Sequence, residues 1–267
     1  MKIYVTGGTG LVGSNIIKVA VERYQADVFV TVHRRQPTPP LDYTYGTVDT
    51  HSRDQVLQSV RAFRPDAIVH CAVLLDLPLI YRDRELGWQS YVEATGHLIE
   101  AANDVGAKIV LISSDWVFDG TQAMADETTP PNPINYYGVL KLVGETLLAA
   151  KANDWAVVRV AGVNGVHWAR PELALTQNAG FGNLAVAVAE TLGRNKSFTV
   201  WEGAVNMRGT PTLASEIGEI ILRIIKLDRR GIFHGCVGES TTRRELAKAT
   251  AKIFDLDVHL IHSGPPD

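Results

Sequence analysis

The 267-residue chain sets 26 Lys and Arg against 29 Asp and Glu, a formal net charge of -3, with 46% hydrophobic and 21% charged residues. This ordinary globular balance gives a nucleic-acid partner no basic face to bind, and no apolar run approaches the ~20 residues of a membrane span. Cys71 and Cys236 are its only cysteines, far apart and without metal-ligand spacing, which predicts no metal site and a reducing, cytoplasmic setting; the direct start in a strand predicts no signal peptide.

Lys2 to Thr6 is a β-branched run that breaks into Gly7, Gly8, Gly10 and Gly13, while an apolar-periodic helix begins at Leu11 and ends near Tyr24. Glycines this dense let backbone approach a ligand. The N–H groups of Leu11, Val12 and Gly13, with the helix dipole behind them, suit a pyrophosphate. The other reading is a tight turn closing an ordinary strand–helix unit. Val28 to Val32 follows as a buried strand and completes a βαβ unit. At its end an acidic residue would favour NAD, but the place holds His33-Arg34-Arg35, and guanidinium groups match a ribose 2'-phosphate. NADP(H) is therefore the expected cofactor and NAD(H) the alternative, unless Arg34 and Arg35 are simply solvated at a loop start.

Thr44 to Val48 reads as a short strand ending at Asp49, placed either for the adenine end of a dinucleotide or as a helix N-cap. A helix carrying Val56, Leu57, Val60 and Phe63 precedes a fourth strand, Ala67 to Ala72, whose exit at Cys71 and Ala72 is expected to pass under the cofactor. His70 within that run reads as a satisfied core histidine. A long helix over Leu86–Asn103, a strand over Lys108–Ser113, a helix from Asn135 and a strand over Ala156–Val160 continue the alternation. The pattern predicts an α/β fold with a doubly wound parallel sheet, and ligands at the carboxyl ends of its strands.

Beyond about Gly165 the pattern loosens. Helices are expected near Asn183–Leu192, over Leu213–Ile225 and over Arg243–Ile253, with strands at Phe198–Trp201, Ile232–His234 and Val258–Ile261. Residues 1–165 would form a dinucleotide-binding domain and 166–267 a smaller lobe, interleaved with it rather than folding alone, with substrate in the cleft.

Tyr137 and Lys141 are four residues apart on one helix face. An ammonium one turn away would favour the phenolate and draw the tyrosine toward working range. Ser114 falls just past the fifth strand, where a hydroxyl could hydrogen-bond a reacting carbonyl. The bland alternatives are a surface pair and two serines, Ser113 and Ser114, that end a strand.

Glycine turn, strand-end hydroxyl and Y-x-x-x-K in this order resemble the extended short-chain dehydrogenase/reductase family over nearly the whole chain. Within it, Ser113-Ser114-Asp115-Trp116-Val117-Phe118-Asp119-Gly120 resembles the S-T-D-Y-V-F-D-G motif of the dTDP-4-dehydrorhamnose reductases, and Gly209-Thr210-Pro211-Thr212 their G-x-P-T segment. The resemblance implies a Rossmann fold and NADPH-dependent reduction of a keto-sugar, foremost a nucleotide-linked 4-keto-6-deoxy sugar. It implies Ser114 in the place of the catalytic threonine, Tyr137 as proton donor, and Lys141 on the nicotinamide ribose. Asp115, Trp116, Asn164 and Arg208 are the implied substrate contacts. A homodimer through the helices bearing Tyr91 and Tyr137 is also implied. Two departures stand out: Tyr91 replaces the family's usual asparagine, and Gly162 the tryptophan beside the sugar. Another sugar dehydrogenase or epimerase of the family, or a non-catalytic NADP-binding regulatory subunit, are the alternatives.

Overall fold

The computed structural model describes residues 1–33, 42–74, 76–122, 124–173, 175–178, 180–203 and 208–266. The expected 2'-phosphate ligands Arg34 and Arg35 lie outside them. The first part of the chain alternates as its periodicity predicts: β1 (Lys2–Thr6), α1 (Leu11–Tyr24), β2 (Asp27–Val32), β3 (Thr44–Thr47), α2 (Arg53–Phe63), β4 (Ala67–His70), α3 (Leu77–Arg82), α4 (Arg84–Trp88), α5 (Ala94–Val105), β5 (Lys108–Ser114), α6 (Tyr136–Lys151) and β6 (Trp155–Val160). Shorter pieces follow: β7 (Val163–Asn164), α7 (Leu184–Leu192), β8 (Phe198–Trp201), β9 (Arg208–Gly209), β10 (Thr212–Leu213), α8 (Ala214–Lys226), β11 (Gly231–Gly235), β12 (Thr241–Thr242), α9 (Arg243–Ile253) and β13 (Ile261–Gly264).

Seven strands form one parallel sheet in the order β11-β6-β5-β4-β1-β2-β3. Its central strands are apolar on both faces because helices cover both. Ile3, Val5, Val110 and Val158 pack with α1 and α8; Tyr4, Ile68, Ile109 and Val157 pack with α2, α5 and α6. The order places β1 beside β4, so the chain reverses direction across the sheet between them, and the crevice at their carboxyl ends is the natural ligand site. β11, late in the sequence, pairs with β6 and runs from Gly231 opposite Ala156 to Gly235 opposite Val160. A separate apolar cluster, including Phe181, Leu184, Val188, Ala247 and Ile261, joins α7, α9, β8 and β13 beyond the sheet. Among the described residues no helix is long and apolar enough to cross a membrane.

Helix α3 and the short strands β7, β9, β10 and β12 are additions to the expected elements, and two expected segments differ in form. The helix expected over Leu86–Asn103 is interrupted by a π-helical turn at Gln89–Glu93, where the Thr95 hydroxyl donates to Tyr91 O at 2.6 Å and engages that carbonyl. The last strand starts later than expected: the Asp257 carboxylate accepts from His259 N at 2.9 Å and caps a 3₁₀ turn over Val258–Leu260, so β13 begins at Ile261.

Helix α6 is tied to β6 by a buried ion pair: Arg159 Nη2 donates to Glu145 Oε2 at 2.7 Å, with side chains 2% and 4% exposed. Removing one partner strands the other charge in a dry interface. Glu145→Ala should therefore lose about 3–5 kcal/mol of stability, read as a lowered urea midpoint; an unchanged midpoint would mean that apolar packing alone seats α6.

Candidate functional site

The glycine turn after β1 is crowded from within. Gly7 has φ +69°, and a Cβ there would lie 2.6 Å from Ala72 N; one on Gly13 would lie 2.3 Å from Gly7 O. These two positions let the turn fold onto itself and onto the exit of β4, which brings Cys71 and Ala72 beneath it. Gly10 is different. A Cβ on it would meet Gly7 O alone, at 3.2 Å, so its α-carbon faces open space. Gly10 caps α1 without a side-chain hydrogen bond, and the first turn holds no acid. The N-terminal N–H groups and dipole thus meet no protein carboxylate from their own helix, as an anion site requires.

Thr6 holds the neighbouring strand end. Its hydroxyl accepts from Ala72 N at 3.1 Å and lies 2.8 Å from His70 Nδ1. Burial pushes His70 down to about 3, with the Lys141 charge adding to the shift, so it is neutral at ordinary pH. Burial likewise pushes the Cys71 thiol up to about 12. Asp49 shapes a local turn: its carboxylate accepts from His51 N at 3.0 Å, while Ser52 occupies the N-cap position of α2.

Across the crevice, Asn135 caps α6 by accepting from Gly138 N at 2.8 Å. Gly138 then packs against the loop after β5 so closely that a Cβ would lie 2.1 Å from Trp116 O. This approach brings Tyr137 beside Ser114, near enough for the serine hydroxyl to favour the phenolate. The rings of Trp116 and Tyr91 stand edge-on to Tyr137 at 5.6 and 5.8 Å. Tyr91 donates its hydroxyl to Leu74 O at 2.8 Å. Ser114 donates to Asp115 Oδ1 at 3.0 Å and accepts from Trp116 N at 3.3 Å. One helical turn on, the buried Lys141 ammonium donates to Ile112 O at 2.9 Å.

The electrostatics differ from the expectation built on the Tyr137–Lys141 spacing. Burial pushes Tyr137 up to about 12; the Ser114 hydrogen bond opposes that rise and the Asp115 charge adds to it. Lys141 lies 5.7 Å from the Tyr137 ring centre and spends a proton on Ile112 O, so desolvation of the phenolate outweighs its pull. Burial also pushes Lys141 down to about 8, against the opposing pull of Cys71 and Glu145. The tyrosine is therefore a protonated donor at neutral pH and the lysine still largely a cation.

The four expected substrate contacts separate. Asp115 and Trp116 adjoin Ser114 and Tyr137. Asn164 is buried, donating to Gly162 O and Phe181 O at 2.7 and 3.1 Å and accepting from Ala185 N at 2.9 Å, which commits its amide to joining β7 with α7. Arg208 is exposed and holds Ser240 at 3.1 and 3.0 Å. At Gly162, φ is +49° and a Cβ would lie 3.0 Å from both Phe181 Cβ and Pro211 Cα, so neighbouring chain fills the space beside it. Sequence reasoning overlooked Gly138. Its signal was a glycine inside the first turn of a helix, which costs about 1 kcal/mol relative to alanine unless a close approach needs it.

The family model described as the RmlD substrate binding domain matches residues 1–264. The chain belongs to that family. Its sheet and flanking helices are the Rossmann-like fold of the extended short-chain dehydrogenase/reductases. The dTDP-4-dehydrorhamnose reductase of Bacillus anthracis, solved in complex with NADP, superposes with a TM-score of 0.78 at 22% identity, over 99% of this chain and 84% of that one. The UDP-glucose 4-epimerase of Thermotoga maritima, solved with UDP-glucose, gives 0.83 at 20% identity over 100% and 86%. Among curated sequences, methionine adenosyltransferase 2 subunit beta of Bos taurus is 28% identical over 96% of this chain and 72% of its own length. For this RmlD-family chain, Gly138→Ala should force α6 away from Trp116, costing about 1–3 kcal/mol as overpacking does and separating Tyr137 from Ser114. A wild-type melting temperature in a scanning calorimeter would contradict that packing.

Proposed function

We propose that the chain is an NADPH-dependent reductase of a keto-sugar, foremost a nucleotide-linked 4-keto-6-deoxy sugar, acting as a cytoplasmic homodimer. The observation that carries this reading is the convergence of Ser114, Tyr137 and Lys141 at the carboxyl end of β5, across the crevice from an uncapped glycine turn. Leu11, Val12 and Gly13 are suited to hold the cofactor's pyrophosphate through backbone N–H groups, Cys71 and Ala72 to line it, and Lys141 to meet a ribose hydroxyl. What a reduced nicotinamide supplies there is a hydride for a carbonyl carbon. The protein supplies the rest. Tyr137, protonated at neutral pH, gives its proton to the carbonyl oxygen; the Lys141 cation offsets the charge this leaves. Trp116 and Tyr91 border the phenol and limit water around it. Residues 166–267 would provide the sugar side of the cleft, and Arg34 and Arg35 the preference for a 2'-phosphate.

A second reading, a non-catalytic NADP-binding subunit, is favoured by the similarity to methionine adenosyltransferase 2 subunit beta. Both readings require the cofactor, and only the first requires turnover.

Calorimetric titration should show NADPH binding at least about tenfold more tightly than NADH, the value of one charge-assisted contact. Gly10→Val, which puts a side chain where backbone faces open space, should abolish both while leaving the circular dichroism unchanged. Equal affinities would remove the arginine assignment. Undiminished binding by the valine variant would remove the phosphate-turn assignment.

Turnover is tested with NADPH and a panel of keto-sugars. Tyr137→Phe keeps the ring packing and should lower kcat by about 10²–10⁴-fold while NADPH binding survives. Lys141→Ala should weaken NADPH binding as well. If Tyr137→Phe matches the wild type, the acid is elsewhere; if the wild type binds NADPH and reduces no sugar, the subunit reading prevails.

A further inference from the structure

The hydroxyl expected to greet the substrate oxygen is already committed. Ser114 has one proton, and it lies on Asp115 Oδ1 at 3.0 Å. Ser114 Oγ also accepts from Trp116 N at 3.3 Å. The Ser114 hydroxyl therefore points at the Asp115 carboxylate and has no proton left for an incoming carbonyl.

We infer that Asp115 is a positioning residue that sets where the Ser114 proton points, holding it when ionised and yielding it to the substrate oxygen when neutral. This rests on the reductase reading for its catalytic consequence only; the Ser114–Asp115 hydrogen bond belongs to the protein alone. The carboxylate competes with the substrate because a charged acceptor holds a hydroxyl more strongly than a neutral carbonyl does. Desolvation raises Asp115 to about 6, while the hydrogen bonds from Ser114 and from the backbone N–H groups of Asp115 and Trp116 oppose that rise. The remaining polar neighbours come from two other elements: Tyr137 on α6, and Cys236 just past β11, whose thiol the Asp115 charge helps raise. The proton on Ser114 is thus released as pH falls through about 6.

Two measurements decide it. In the free protein with ¹³C-labelled aspartate, the Asp115 carboxyl signal, assigned by its loss in Asp115→Asn, should titrate near 6. In Ser114→Ala its midpoint should rise, since the bond that favours the carboxylate is gone. A midpoint that stays or falls overturns the proposal. With NADPH and dTDP-4-dehydrorhamnose as probe, Asp115→Asn keeps the shape and removes the charge, so kcat above pH 7 should rise about five- to tenfold, the gap between a charge-assisted and a neutral hydrogen bond. The change should vanish in the Ser114→Ala background. An equal change in both backgrounds, or a kcat for Asp115→Asn as low as that of Ser114→Ala, overturns it. Should the wild type bind NADPH and leave that ketone untouched, the sugar assignment fails while the carboxyl titration still decides the role of Asp115.

Discussion

The site depends on one close contact: the start of α6 against the carbonyl of Trp116, allowed because Gly138 carries no side chain. That contact sets the separation between a helix and a strand end, and the spacing of Tyr137 and Lys141 from β5 follows from it. With α6 seated there, Tyr137 lies beside Ser114, Lys141 donates to Ile112 O, and Glu145 meets Arg159. Two polar links between the helix and the sheet, and the placing of Tyr137, are therefore in register with one packing event. A larger residue at 138 would disturb all of them together.

The same closeness explains the electrostatics. Water is excluded between α6 and the ends of β4 and β5, and each ionisable group there moves toward its neutral form: His70 and Lys141 down, Cys71, Asp115 and Tyr137 up. Lys141, lowered only to about 8, keeps most of its charge at neutral pH because the Glu145 carboxylate opposes the desolvation. A tyrosine so far from ionising is a donor first, which suits reduction, where a proton must be delivered to oxygen.

Much of this was legible in the sequence because the signals were local. The strand–glycine–helix start, the alternation of β4, β5 and β6 with helices, and the Y-x-x-x-K spacing each follow from neighbouring residues. The role of His70 was legible too, since a histidine in an apolar strand needs a partner, and Thr6 provides it at 2.8 Å. What escaped depends on packing between distant segments. Asn164 looked like a cleft residue from its motif, but the carbonyls of Gly162 and Phe181 take both of its amide protons. The effect of Lys141 on Tyr137 could not be weighed before the depth of burial was known, because desolvation and charge act in opposite directions. The π turn at Gln89–Glu93, with a threonine hydroxyl on one of its carbonyls, is a feature that apolar periodicity does not register.

The pairing of β11 with β6 has a consequence for how the chain is made. A parallel strand contributed from far downstream is a long-range contact, and such contacts form slowly because the intervening chain must be ordered first. During synthesis the sheet from β6 to β3 can assemble early, but β6 then ends it as an open edge with unpaired backbone groups and an apolar face. Only when Gly231–Gly235 has emerged, with α8 beside it, is that edge covered. The nascent protein is therefore most exposed to mispairing in the interval between its sixth and eleventh strands, and that hazard falls on the strand carrying Arg159.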